Sequence, residues 1–353
     1  MSRFREEFGP GDTEDRRLDR DRLNKVGGDH WERFEGNNED HFRLGIQMHG
    51  KYTRLFAPFY SADIIVASPL GLRMIVKSET EKSRETDFLS SVEVVMIDQL
   101  DYLLMQNLDH LHTILDACNL SPFRARGADF TRVRMSFLDN LQKFSRQTLL
   151  FSAIACPEAN ALMARRSFNS RGIIKTAQEH KGALRQVLSH LHVRHTFHRL
   201  PDTDNLSACD DARFVFFCDK VYQRLISGCQ AHTLIVIPSY IDFVRVRNYL
   251  KKQSASFLSC TEYSDVSEVA RARSDFFHGR RDILVVTERF HYYQRFKIRG
   301  IQHIVFYGPP QIAEFYSELV NLMSLFDDTG GSVTGVYAKS DLLALQRVVG
   351  TSR

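Results

Sequence analysis

The sequence predicts an α/β protein built on parallel sheets in two lobes. Short β-branched runs recur along the chain, each closes on a turn or acidic signal, and each is followed by a helix-length amphipathic stretch. That alternation is the pattern of βα units. The length of 353 residues, with 43% hydrophobic and 25% charged, suits a globular chain of about two domains, since domains hold roughly 100 to 200 residues.

Residues 1–40 are rich in Asp, Glu, Arg and Gly, hold the only tryptophan, Trp31, and are read as a charged extended arm. Three strand runs follow in a first lobe over 41–165: "DIIVAS" (63–68), "EVVMID" (93–98) and "QTLLFSA" (147–153). Residues 166–204 are polar and form a linker leading into the second lobe, and within them "HVRHTFH" (192–198) alternates like a strand able to open the second sheet. The second lobe, 205–353, carries "HTLIVIPS" (232–239), "SFLSCTEY" (256–263), "DILVVTE" (282–288), "HIVFYG" (303–308) and "SVTGVYA" (332–338). With three runs before residue 165 and five after, the first sheet is expected to be partial and the second complete.

Net charge is +4 and the pI about 8.7, which permits an acidic or nucleic-acid partner without demanding one. The six cysteines (Cys118, Cys156, Cys209, Cys218, Cys229, Cys260) form no CxxC pair, and the opening "MSRFREEFGPGD" has no apolar signal core, so a reducing intracellular compartment is expected. No apolar run approaches the roughly 20 residues needed to span a bilayer, so no membrane partner is expected. Four clustered histidines, His190, His192, His195 and His198, would be split between two faces by strand alternation. No cysteine or carboxylate pattern accompanies them, and no metal site is predicted.

In open α/β sheets ligands bind at the carboxyl ends of strands, which directs attention to the residues just after each run. Those are Ser68-Pro69-Leu70-Gly71-Leu72-Arg73, Asp98-Gln99-Leu100-Asp101, Ser152-Ala153-Ile154, Pro238-Ser239 and Thr287-Glu288-Arg289. Taken in order, these motifs resemble the conserved series of superfamily-two RNA helicases of the DEAD-box type. "ASPLGLR" resembles the RNA-contacting T-P-G-R turn, "MIDQLD" the D-E-A-D strand end and "LLFSAI" the S-A-T motif. "FFHGRRDILVVTE" resembles the strand reaching the T-D element. The resemblance implies two RecA-like parallel-sheet lobes, the first incomplete at its N-terminus.

Longer stretches, among them "RLFAPFYSADIIVASPLGLR", "DFLSSVEVVMIDQLD", "HTLIVIPSYIDFVRVRNYLKK" and "TERFHYYQRFKIRGI", resemble the digestive-organ-expansion-factor family, also named for its association with the U-three small nucleolar RNA. The likeness runs from about Arg3 to Gly350. It implies a nucleolar component of the small-subunit processome. The partners it implies are the ribosomal RNA precursor, small nucleolar RNA and processome proteins.

ATP hydrolysis on such a fold needs a glycine loop with a lysine, an Asp for Mg²⁺, a Glu for water and arginines for transition-state charge. No GxxxxGK[ST] occurs, Gln99 stands in the place of the glutamate, Ile154 in the place of the threonine, and no arginine occurs between Arg299 and Arg347. An arginine finger alone is worth about 10³ to 10⁵ in rate. Asp98, Gln99, Asp101 and Ser152 are therefore read as a vestigial nucleotide site, with no catalytic residue, no cofactor and no small-molecule substrate expected. A plainer role for Asp98 and Asp101 is to cap the helix starting near Tyr102.

Loss of chemistry need not remove an RNA face. Ser68, Gly71 and Arg73 put a hydroxyl, a small residue and a guanidinium at a helix start. By the resemblance, these positions and Thr287 touch the RNA backbone. Arg289, Arg295, Lys297 and Arg299 interleave with Phe290, His291, Tyr292, Tyr293 and Phe296 in the densest basic and aromatic stretch of the chain, a mix suited to phosphate contact and stacking, with aromatics in the core and cations on a solvated rim as the plainer alternative. An active RNA-dependent ATPase and a protein-only adaptor stand as alternative functions.

Overall fold

In the computed structural model the described residues are 2–9, 40–76, 86–124, 126–176, 179–203, 205–323 and 330–351. Most of the arm, Trp31 included, lies outside them. Its first residues are helical rather than extended: α1 spans Ser2–Phe8, and the Phe8 ring packs on Phe42 and Phe56.

The chain divides into two compact units between residues 176 and 177. The first contains two small sheets. β1 (Arg43–Met48) pairs antiparallel with both β2 (Thr53–Leu55) and β3 (Ile64–Ala67), while β4 (Val94–Ile97) and β5 (Gln147–Leu150) form a separate parallel pair. β1 and β2 were not among the expected strands. Gly45 sits in β1 where a Cβ would come within 2.2 Å of the Ala57 carbonyl, so the hairpin closes only around a glycine.

Helix α2 (Pro69–Val76) follows β3, and α3 (Leu100–Leu103) and α4 (Leu108–Ala117) follow β4. Short turns α5 (Met135–Leu138) and α6 (Gln142–Ser145) precede β5, and α7 (Pro157–Arg166) follows it. The sequence sets these starts. Asn107 accepts from the Asp109 N–H at 3.0 Å, and Pro157 opens α7 behind Cys156. Leu72, Val76, Phe88, Leu89 and Ile114 form one core of the unit, and Ile97, Leu100, Leu111, Leu115 and Leu162 a second.

The second unit is a six-stranded sheet in the order β6-β11-β10-β7-β9-β8, all parallel. Its strands are β6 (Arg194–Arg199), β7 (Thr233–Ile237), β8 (Phe257–Cys260), β9 (Ile283–Thr287), β10 (His303–Phe306) and β11 (Ser332–Tyr337). β6 is the alternating histidine segment. It sends His195 Nδ1 to the Tyr316 hydroxyl at 2.8 Å and His198 toward Phe216, two different faces.

The helices are α8 (Leu206–Phe216), which runs through a π-helical stretch into α9 (Gln223–Ser227), then α10 (Tyr240–Lys252), α11 (Val266–Phe277), α12 (Glu288–Gln294), α13 (Glu314–Asn321) and α14 (Leu342–Val349). Asn205, Ser239 and Thr287 cap α8, α10 and α12 with their side-chain oxygens. Every residue of β7 and β9 is buried. Leu234, Val236, Leu284 and Val286 face one core with α11 to α14, and Ile235, Ile237, Ile283 and Val285 face another with α8 and α10. Cover on both faces is what a parallel sheet requires.

Candidate functional site: the strand-end turns

At the end of β4 the chain turns into α3 through Gln99, which has φ 53° and ψ 48°. A left-handed glutamine costs roughly 1 kcal/mol and persists only if its surroundings hold it. They do. The Phe151 N–H donates to the Ile97 carbonyl at 2.8 Å and the Leu100 N–H to the Phe151 carbonyl at 3.0 Å, so the turn is bonded to the end of β5.

Asp101 is buried and its Oδ1 accepts from the Ala153 N–H at 3.3 Å, while Asp98 is exposed and accepts from the Gln99 N–H at 2.9 Å. The capping expectation is corrected: α3 receives no side-chain cap, because Gln99 and not an aspartate occupies its N-cap. Asp101 ties two strand ends together instead. Ser152 is absorbed by its own loop, donating to the Ile154 carbonyl at 2.8 Å and accepting from the Ile154 N–H at 3.3 Å. The four residues Asp98, Gln99, Asp101 and Ser152 are thus brought together at the ends of one parallel pair.

The nearest approach to a phosphate loop is Gly45 to Lys51, which matches GxxxxGK but is followed by Tyr52. It forms the β1–β2 hairpin rather than a strand-to-helix loop. A hairpin cannot converge its N–H groups on a phosphate at a helix N-terminus.

At the end of β3, Ser68 caps α2 by accepting from the Gly71 N–H at 3.1 Å, and its hydroxyl donates to the Asp40 carbonyl. Gly71 is buried, and a Cβ there would lie 2.7 Å from the Phe42 oxygen and 2.8 Å from His41. The glycine serves helix packing against the residues before β1, where the motif pattern had suggested close approach by RNA. Arg73 is half-exposed and lies 3.3 Å from the Asp109 carboxylate on α4.

The basic and aromatic stretch 287–299 is dispersed by the fold. Thr287 is 1% exposed, accepts from the Phe290 N–H at 3.1 Å and donates to Glu262 at 2.7 Å. Arg295 is 5% exposed, and its Nε donates to Glu318 Oε2 at 2.7 Å with a second bond from Nη2 to Oε1. Both expectations of RNA contact are corrected, since a buried side chain whose bonding atoms face inward reaches no external phosphate. Arg289 is half-exposed beside the carboxyl end of β9, whereas Lys297 and Arg299 are exposed beyond α12, ahead of β10.

Sequence reasoning named Glu288, His291 and Arg295 but missed the buried polar pairing that shapes these ends. His291 shares Glu318 with Arg295 at 3.1 Å. Burial lowers the pKa of His291, and although burial opposes ionisation of Glu318, its bonds to His291 and Arg295 hold it down at about 2. Glu288 is buried, accepts from the Gln311 and Ile312 N–H groups at 2.8 and 3.1 Å, and is pushed up to about 7 by burial, against those bonds. Arg213 of α8 reaches the Tyr307 carbonyl at 3.1 Å and Asp341 at 2.6 Å. No periodicity marks such residues, because their partners lie 23 to 128 positions away. Only a charge placed inside an apolar helix, as Glu318 is within α13, hints at them.

Two family models account for nearly the whole chain: the UTP25 NTP hydrolase-like domain matches residues 1–174 and the Utp25 C-terminal domain residues 184–353. The chain is 43% identical over 356 residues to the U3 small nucleolar RNA-associated protein 25 homolog of Xenopus tropicalis, covering 99% of this chain and 45% of that one. The Homo sapiens homolog is 43% identical over 324 residues, covering 91% and 42%. The U3 small nucleolar RNA-associated protein 25 of Sclerotinia sclerotiorum is 43% identical over 335 residues, covering 91% and 46%. The chain thus spans less than half the length of these relatives. Among solved structures it is similar to a DEAD box protein from Methanococcus jannaschii, with TM-score 0.36 and 16% identity over 90% of this chain and 72% of that one. Saccharomyces cerevisiae Dbp5 bound to RNA and ADP BeF3 gives TM-score 0.36 and 13% identity, covering 81% and 62%. With both of its halves matched by that family's two domains, the chain belongs to the Utp25 family of U3 small nucleolar RNA-associated proteins.

Proposed function

We propose that this chain is a non-catalytic, helicase-like part of the small-subunit processome, acting in the nucleolus on precursor ribosomal RNA by binding RNA and assembly factors. The names of its relatives support the association with U3 small nucleolar RNA. The observation that carries the non-catalytic reading is the β4–α3 turn. Its buried carboxylate, Asp101, is spent on the Ala153 N–H, and the position next to Asp98 holds an amide in a left-handed conformation. An amide does not accept a proton at neutral pH, so the side chain at position 99 cannot deprotonate an attacking water.

RNA contact in this reading falls on Ser68 and Arg73 at the end of β3 and on Arg289, Lys297 and Arg299 in the second unit. Arg73 offers a fork for phosphate, and its pairing with Asp109 is a partly exposed one of low worth, about 0 to 1 kcal/mol, that a phosphate can displace. The test is ultraviolet crosslinking in cells followed by sequencing, with wild type and Arg73→Ala compared. Crosslinks to U3 and precursor ribosomal RNA, reduced in the variant, are expected. Absence of any RNA crosslink, with processome proteins still recovered, would replace this reading with a protein-only adaptor.

A further inference from the structure

The basic and aromatic band that the sequence presents as continuous is cut in two by α12, and its distal half joins residues that sequence order keeps apart. Lys297 and Arg299 converge on α11, where with Arg273, Ser274, Phe277 and Ala270 they line an open groove of about 320 Å³. A Cβ on Gly300 would stand 3.2 Å from Phe277 Cδ2 and 3.6 Å from His232 Nδ1, and His232 directly precedes β7. The groove therefore sits at the amino ends of β7 and β10, the rim opposite the strand ends where the nucleotide and RNA motifs were expected.

Among the described residues its charge is uncompensated: no carboxylate lines it, and neither Lys297 nor Arg299 forms a side-chain hydrogen bond or ion pair. Asp275, on the same helix, is taken by Arg280 at 2.8 Å. Burial lowers the pKa of Arg273, the Cys260 thiol opposes that shift, and the Arg299 charge adds to it. The carbonyls at the end of α11 do not supply the missing negative charge, because those of Ser274, Asp275 and Phe276 accept from the N–H groups of His278, Arg280 and Gly279.

Arg273 is held in place rather than free to sweep. Its guanidinium lies 4.6 Å from the Phe296 ring centroid and Nη2 donates to the Lys297 carbonyl at 2.9 Å. Beside these cations Phe277 leaves 43% of its surface exposed. An anchored arginine, two unpaired cations on one rim and an exposed ring are the elements of a single-strand nucleic-acid platform, with phosphates on the cations and a base on the ring.

We propose that this groove is a second RNA-binding surface, distinct from the strand-end motifs, that takes single-stranded RNA with Lys297 and Arg299 on phosphates and Phe277 against a base. The proposal rests on the RNA-associated reading above. An acidic protein segment would satisfy the cations equally but would leave Phe277 without a reason to be exposed.

The experiment is fluorescence anisotropy of the full chain with a labelled oligouridine of about 20 nucleotides over a range of salt, with polyglutamate as a competing probe. Lys297→Glu with Arg299→Glu is compared with wild type, with Phe277→Ala, and with a matched charge reversal on exposed cations of the first unit, Arg165→Glu with Arg171→Glu. The groove double variant is expected to bind at least tenfold more weakly, with a salt slope smaller by about 1.4, roughly 0.7 for each single-strand phosphate that is no longer neutralised. Phe277→Ala is expected to bind about tenfold more weakly with an unchanged slope, and the first-unit control to bind as wild type does. Wild-type binding that the groove variants leave intact would overturn this proposal while sparing the RNA-associated reading. Equal weakening by the control would reduce the effect to net charge and overturn it too. Loss of polyglutamate binding alone would reassign the groove to an acidic protein segment, and a wild type that binds no RNA would overturn both readings.

Discussion

The two units carry sequence runs that look alike and end up in different environments. "VVMI" of β4 and "ILVVT" of β9 are both continuous apolar runs, yet β9 is buried along its length while β4 leaves Met96 68% exposed. β3 behaves like β4, with Ile64 and Val66 exposed and Ile65 and Ala67 half-buried. The second unit has helices on both faces of one sheet. The first divides its strands into an antiparallel triple and a parallel pair. A continuous apolar run reports that a strand is suited to cover on both faces. It does not report that the cover is there.

The comparison breaks most visibly at the Arg295–Glu318 pair, which has a buried arginine and, among the described residues, no counterpart in the first unit. Arg295→Ala removes a buried guanidinium and its two charge-assisted hydrogen bonds to the half-buried Glu318, and is expected to cost about 3 kcal/mol, at roughly 1.5 kcal/mol per bond. In denaturant unfolding with a probe in each unit, the second unit should unfold earlier and the first should not move. A shift in both would show that the units unfold as one.

Glu288 gives the second unit a pH response. Its folded pKa of about 7 lies above the unfolded value of 4.5, so the folded state binds the proton more tightly. The stability this contributes is fully present below pH 4.5 and is lost as pH rises through about 7, a loss of about 3 kcal/mol at roughly 1.4 kcal/mol per unit. Glu288→Gln keeps an oxygen for the Gln311 and Ile312 N–H groups and removes the titration. Relative to wild type it should therefore gain about 3 kcal/mol between pH 4.5 and 8, read from urea midpoints at both values. A constant difference would place the carboxylate in water.

In the first unit the sharpest single position is Gly71. Gly71→Ala sets a methyl 2.7 Å from the Phe42 oxygen and should cost about 1 to 3 kcal/mol, with the second unit unaffected. Thermal unfolding of the variant measures it. The smallest effect belongs to Gln99→Gly, which relieves a left-handed backbone and should stabilise the first unit by a few tenths to about 1 kcal/mol.

What the sequence made legible follows the same division. The strands β3 to β11 all begin in or beside runs that alternate or stay apolar, and the N-caps Ser68, Asn205, Ser239 and Thr287 are the residue types a helix start selects. β1 and β2 escaped because "RLGIQM" mixes a glycine and a glutamine into a short strand, which weakens both periodicity and propensity. The strand-end logic found the Asp98 to Asp101 turn and its neighbour Ser152. It misjudged Thr287 and Arg295, because charge density along a sequence does not say which way a side chain faces. Arg295 ends α12 in a left-handed conformation that turns it toward Glu318, a residue 23 positions away. Lys297 and Arg299 were legible as cations, while their convergence with Arg273 and Phe277 belongs to the fold.

The central claim is that the strand-end turn no longer performs ATP chemistry, and RNA-stimulated phosphate release tests it most directly. Wild type, Gln99→Glu and Asp98→Asn are assayed together with Mg²⁺-nucleotide titration. Three flat traces are predicted, because restoring one carboxylate at position 99 cannot replace a phosphate-cradling loop and arginines that act with it as a unit. Hydrolysis by wild type that disappears in Asp98→Asn would contradict the account.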